Sequence, residues 1–205
     1  MVTLIFARHG ESEANTANVI ANGNDGYPLT AKGRDQSRIL AGRLNVAPID
    51  RVLCSPILRA RQTAAIVATA VQAVCVVDDR LRECLMGDLE GRSDPSAWRA
   101  HAAVNEEWLH GAWDRRPPNG ESMLDVARRF QSLIDELKGM SGRLVLIGHG
   151  ALYRCMLPFV LSNVSFGFSA ANLLGHTDWV EAEGLGTEVV CTNWAGVSFR
   201  DAVNR

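Results

Sequence analysis

No apolar run in this 205-residue chain reaches the roughly 18 residues that a membrane-spanning helix needs. Charge of one sign is not in excess either, since 21 Lys and Arg stand against 23 Asp and Glu, a formal net charge of −2. That balance gives no general attraction to nucleic acid or to an anionic membrane, so neither is expected as a partner and any basic site is local. The cysteines Cys54, Cys75, Cys84, Cys155 and Cys191 are odd in number, widely spaced and form no CxxC. This fits reduced thiols in a cytoplasmic protein, each packed as a small buried hydrophobe. The apolar stretch before Arg8 is too short for a signal-peptide core and has no basic leader, which agrees with a cytoplasmic location. Internal repeats, low-complexity tracts, linkers and clusters with metal-ligand spacing are also missing, so no cofactor or metal is expected.

What is present is a globular composition, 47% hydrophobic and 21% charged, expected to form one domain over residues 1–205. At this size folding buries roughly 70% of the surface of the unfolded chain, enough for a core without disulfides. Residues 2–7, 51–54, 74–77, 144–148 and 188–191 read as buried strands, with a possible last strand near 197–199. Helical patterns fall between them. Ser55-Pro56 reads as a cap and first helical position for a helix to about Val71, and Asp94-Pro95 repeats that signature. From Met123, the residues Val126, Ala127, Phe130, Leu133, Ile134 and Leu137 keep helical spacing up to Gly139. The alternation predicts an α/β fold, a three-layer α/β/α sandwich with a mostly parallel central sheet. Residues 115–120 read as a loop, and residues 162–186 show no clear period.

Two strands end in the same way. The first runs into Arg8-His9-Gly10-Glu11-Ser12 and the second into Gly148-His149-Gly150, each an apolar run delivering a histidine and a glycine. Ligands of open α/β sheets bind beyond the carboxyl ends of the strands, where a glycine admits close backbone approach. An isolated Arg-His pair reads more readily as a solubilised strand end, but two such ends can present both imidazoles to one ligand. Between them, Ser55-Pro56-Ile57-Leu58-Arg59-Ala60-Arg61-Gln62-Thr63 puts Arg59 in the first turn of a helix, where a guanidinium fork and the helix terminus both favour a phosphate. Arg61, two residues on, points elsewhere. In Leu81-Arg82-Glu83-Cys84-Leu85-Met86-Gly87-Asp88-Leu89-Glu90-Gly91, Glu83 has apolar neighbours suited to a proton-donating carboxyl, whereas Asp88 and Glu90 read as loop-solvating acids.

These segments, with Gly120-Glu121-Ser122, resemble in order and spacing the histidine phosphatase superfamily, the phosphoglycerate-mutase-like proteins, from residue 2 to about 160. The resemblance implies a phosphoglycerate-mutase-like three-layer fold and a phosphohistidine intermediate. It makes His9 the nucleophile, Arg8, Arg59 and His149 the phosphate pocket, and Glu83 the proton donor. Asn15 matches the asparagine after the first motif, Asn22 and Gly23 match a polar residue and glycine further on with a one-residue insertion, and Gly150 follows the second histidine. Two guanidiniums and an imidazolium would then carry the phosphoryl charge without a metal.

The chain departs from the family pattern at Gly148, where serine is usual, and at Cys84, Leu85 and Met86, which replace the basic and aromatic residues of bisphosphoglycerate-dependent mutases. Arg115 and Arg116 either compensate in part or solvate a loop. The leading expectation is a metal-independent phosphatase of a small phosphorylated substrate. Residues 84–86 and the stretch holding Trp98, Trp108 and Trp113 would line its substrate side. A phosphoglycerate mutase and a non-catalytic phosphate-binding module are the alternatives.

Overall fold

A computed structural model describes residues 1–23, 26–185 and 187–199. The first apolar run forms β1, Val2–Arg8, and its alternation splits the interior into two cores. Leu4 and Phe6 face one side of the sheet and Ile5 and Ala7 the other, because successive strand side chains point to opposite faces. The strands β2, Arg51–Cys54, and β4, Gly142–Gly148, repeat the division: Leu53, Leu144 and Leu146 join the first core, and Val52, Cys54, Val145 and Ile147 the second.

Helices cover both faces. α2, Ala31–Leu44, and α3, Leu58–Val71, bury Leu40, Leu44, Ala60, Ala64 and Val67 in the second core. α4, Pro95–Leu109, α5, Met123–Lys138, and α6, Gly150–Val160, pack on the first. The predicted stripe on α5 is buried from Met123 to Leu137, and Ser122 closes a reciprocal capping box with Asp125. Asp94 caps α4 through the backbone N–H groups of Ser96 and Ala97. A four-residue helix α1, Glu13–Thr16, follows β1.

The remaining strands are β3, Val74–Val77, β5, Trp179–Leu185, β6, Glu188–Trp194, and β7, Val197–Ser198, giving one sheet ordered β3-β2-β4-β1-β5-β6-β7 among the described residues. The three-layer α/β expectation holds, but the sheet is mixed rather than mostly parallel. β1 to β4 pair in parallel, while β1–β5, β5–β6 and β6–β7 are antiparallel. The cause lies in residues 162–185, which supply α7, Phe166–Ala171, and then β5, which pairs antiparallel to β1.

Two further expectations are corrected. β3 is not a buried strand but the sheet edge, with Val74 69% and Val77 54% exposed, since β propensity does not distinguish an edge from a centre. Cys75 on it is exposed accordingly, while the other four cysteines are buried and all five are free thiols. Ser55 does not cap α3, which starts at Leu58 with Ile57 as its cap residue: the Ser55 hydroxyl accepts from Ile57 N–H at 3.3 Å, ahead of the helix, and faces His149. Residues 115–120 form the predicted loop, held by the Trp108 indole donating to Arg115 O at 2.7 Å and Asp88 N–H donating to Pro118 O.

Candidate active site

β1 and β4 are neighbours in register, with Arg8 opposite Gly148, so the residues that follow them emerge side by side. His9 and His149 therefore meet, their ring centroids 5.2 Å apart and their planes at 66°. The His9 N–H donates to Gly148 O at 3.0 Å, tying one strand end to the other. Gly10 is small because α2 needs the room: a Cβ there would lie 2.4 Å from Gly33 O. Its N–H donates to Thr63 Oγ1, and Thr63 in turn donates to Arg59 O, so α3 is fastened to the His9 turn.

Arg59 projects from the first turn of α3 between the two imidazoles. Its Nε donates to His9 Nε2 at 3.0 Å and its Nη2 approaches His149 Nδ1 at 3.4 Å. These bonds define the tautomers. His9 carries its proton on Nδ1, donated to Gly10 O at 2.7 Å, and keeps the Nε2 lone pair. His149 carries its proton on Nε2, donated to Ser55 Oγ at 2.8 Å. Burial, then the Arg59 guanidinium, holds both imidazoles well below the ordinary histidine value. The expected imidazolium is thus absent from the free site, and its positive charge comes from the arginines.

Arg8, the last residue of β1, is gripped by a loop that the sequence did not resolve. Its Nη1 donates to Leu174 O at 2.7 Å and its Nη2 to His176 Nε2 at 3.2 Å, while its buried Nε has no hydrogen-bond partner. His176 lies 6.1 Å from His9 by ring centroids and is lowered to about 4 by burial and by Arg8. Gly150 opens α6 beside this guanidinium, where a Cβ would stand 3.2 Å from Arg8 Nε.

Glu83 is buried, and its two carboxylate oxygens accept from Cys84 N–H at 2.9 Å and from Ala151 N–H at 3.0 Å in the first turn of α6. Its backbone is carried by Arg129 of α5, which donates to Arg80 O, Arg82 O and Glu83 O and pairs with Glu121 at 2.9 Å. The Gly120-Glu121-Ser122 motif thereby acquires a physical meaning, since Glu121 fixes Arg129 and also accepts from Leu85 N–H. Glu90 is no solvating acid: it accepts from the backbone N–H groups of Asn22, Gly23 and Met86, joining two loops.

Arg8, His9, Arg59, Glu83 and Gly150 line one cavity of about 240 Å³, together with Asn15 and Asn22. His149 lies fully buried behind it. Asn15 accepts from Ser12, and the Asn22 amide donates to Cys84 O at 2.7 Å. Gly23 is not among the lining residues, its N–H being taken by Glu90. Of the three tryptophans expected on the substrate side, only Trp98 lines the cavity. Trp108 is core, and Trp113 packs on Phe159 and Phe166. Cys84 and Met86 are likewise core rather than lining. Arg115 and Arg116 pair with Glu107 and Asp125 away from the cavity, and Arg61 is exposed as expected. Sequence reasoning passed over Ser55 as a histidine partner, and His176, His101, Arg154, Leu173 and Leu174 altogether. These last come from three separate segments with no shared motif.

Comparison with known proteins places this geometry. The probable phosphoglycerate mutase GpmB of Proteus mirabilis (strain HI4320) is 36% identical over 163 residues, covering 78% of this chain and 75% of its own. That of Enterobacter sp. (strain 638) is 32% identical, covering 98% and 96%. Among solved structures, a mycobacterial glucosyl-3-phosphoglycerate phosphatase in complex with VO3 superposes with a TM-score of 0.81 at 26% identity, over 95% of this chain and 99% of its own. The model of the histidine phosphatase superfamily (branch 1) matches residues 4–195, a span that takes in both strand-end histidines and the segments between them, and the chain belongs to that superfamily.

Proposed function

We propose that this chain is a metal-independent phosphatase that hydrolyses a small phosphomonoester through a phosphohistidine on His9. The observation that carries the reading is the state of His9: neutral, with Nδ1–H held by Gly10 O and the Nε2 lone pair directed at the Arg59 guanidinium in the wall of the cavity. A phosphate that takes up Arg59 brings its phosphorus to that lone pair. Nε2 attacks phosphorus and the P–O bond to the alcohol breaks, with Arg8 and Arg59 neutralising the equatorial oxygens. Glu83 delivers a proton to the leaving oxygen. In the second half, Glu83 takes a proton from a water that attacks phosphorus, the N–P bond breaks, and inorganic phosphate leaves with His9 restored.

Two observations favour hydrolysis over the mutase activity named for the relatives. Cys84 and Met86 are core residues without charge, and the Arg115-Arg116 pair is engaged with acids elsewhere, so neither strengthens a site for a bisphosphorylated primer. The test is phosphate release from a panel of phosphomonoesters with a chelator present, comparing the wild type with His9→Ala. The panel includes 3-phosphoglycerate with and without 2,3-bisphosphoglycerate. Release that His9→Ala abolishes supports the phosphatase, and primer-dependent isomerisation without release replaces it with the mutase.

A further inference from the structure

The cavity holds more positive charge than one phosphate uses. Three arginines line it, Arg8, Arg59 and Arg154, against a single acid, Glu83. Arg8 and Arg59 face the imidazoles and match the two charges of a phosphomonoester. Arg154 sits on α6, and no ion pair involves it among the described residues. Its Nη2 donates to Asn105 Oδ1, and its buried Nε has no hydrogen-bond partner.

Asn105 organises this wall. It is 7% exposed, on α4 across from Arg154, and its amide nitrogen donates to His101 O at 2.8 Å and lies 3.2 Å from His101 Nδ1. With Nδ1 accepting from Asn105, His101 carries its proton on Nε2, and no protein acceptor takes it among the described residues. The ring of Trp98 stands against His101 at 5.1 Å, edge to face, and fixes its plane. Burial and then Arg154 lower His101 to about 4, so it donates as a neutral imidazole and adds no charge.

We propose that Arg154 and His101, oriented by Asn105, form a second anion subsite that takes a carboxylate carried by the phosphorylated substrate. The charge decides between anions. One guanidinium matches one carboxylate, which it can bind through two parallel N–H···O bonds, whereas a second phosphate dianion would leave half its charge unmatched. The cavity is small, about 240 Å³, and its lining also includes Ala14, Val19, Ala21 and Leu173, which leaves room for a short carbon skeleton between the two anionic groups.

This subsite rests on the phosphatase reading, and its test is separable from it. The probes are 3-phosphoglycerate, glycerol 3-phosphate, which replaces the carboxylate by a hydroxymethyl group, and 1,3-propanediol bisphosphate. The wild type is expected to favour 3-phosphoglycerate over glycerol 3-phosphate in kcat/KM, and Arg154→Gln to lower that ratio about 10- to 100-fold, mostly through KM. Arg154→Lys, which keeps the charge and loses the fork, falls between. A wild-type ratio near one, a ratio unmoved by Arg154→Gln, or preference for the bisphosphate overturns the subsite even if phosphate release is robust. If no ester is hydrolysed, the phosphatase reading fails, and calorimetric Kd values for the same three probes still decide. A preference for 3-phosphoglycerate that Arg154→Gln or Arg154→Lys weakens upholds the subsite, and equal binding of the probes removes it.

Discussion

Ser55 Oγ lies 2.8 Å from His149 Nε2, and this bond holds the second histidine from the end of β2. Position 148 has to be glycine here for a reason set by α6. A Cβ on Gly148 would stand 2.5 Å from the hydroxyl of Tyr153, which is fully buried and donates to Leu146 O at 2.7 Å. Tyr153 thus occupies the space beside β4, and the partner of the second histidine is Ser55 at the end of β2.

Gly148→Ser is expected to destabilise the fold by about 1–3 kcal/mol, the usual cost of overpacking a close-packed interior. Urea denaturation of the variant checks this. An unchanged midpoint would mean that Tyr153 can shift aside.

Ser55→Ala removes the acceptor of a buried N–H, a loss of about 1–3 kcal/mol. It also frees His149 to turn, so phosphatase activity should drop together with stability, while Ser55→Thr retains the acceptor and most of both. Equal behaviour of the two variants would place Ser55 outside the positioning of His149.

Arg59→Lys should reduce kcat/KM by at least about tenfold, because an ammonium cannot reach His9 and His149 in one plane as the guanidinium does. Steady-state kinetics on an activated aryl phosphate measures it. Near wild-type turnover would remove Arg59 from the phosphate pocket.

Glu83→Gln keeps the size of the side chain but cannot deliver the proton. Esters with poor leaving groups should slow far more than activated aryl phosphates, giving a steeper dependence of rate on leaving-group pKa. A uniform loss across the series would show that Glu83 acts on structure, through Cys84 N–H and Ala151 N–H, rather than on the leaving oxygen.

Acid should weaken the fold through its histidines. His9 and His149 are held well below 6.5 and His101 and His176 at about 4, so in the native state all four stay neutral where the unfolded chain takes up protons. The unfolded state then binds more protons, and stability falls as pH drops below about 6.5, with no histidine contribution above it. Urea midpoints should decline from about pH 6.5 to about 5, before carboxylates begin to titrate. A flat profile in that window would contradict the neutral, buried imidazoles.

Much of the site was legible in the chain because each piece is local. An apolar strand, then histidine and glycine, says where a side chain emerges, and Arg59 in the first turn of a helix is local enough to be placed near those strand ends. The Asp94-Pro95 helix start and the apolar stripe of α5 are local in the same sense, and the sequence by itself determined them. The tertiary structure decided what depends on distant segments. Residues 162–186 lack periodicity because their roles are set by partners: β5 is antiparallel through pairing with β1, and His176 matters through Arg8. Ser55 reads locally as a helix cap, but its hydroxyl also meets His149, which comes from a strand more than ninety residues away in sequence. The neutral state of both site imidazoles follows from burial and from Arg59 lying between them. Those are properties of a packed cavity, which the order of residues along a chain does not contain.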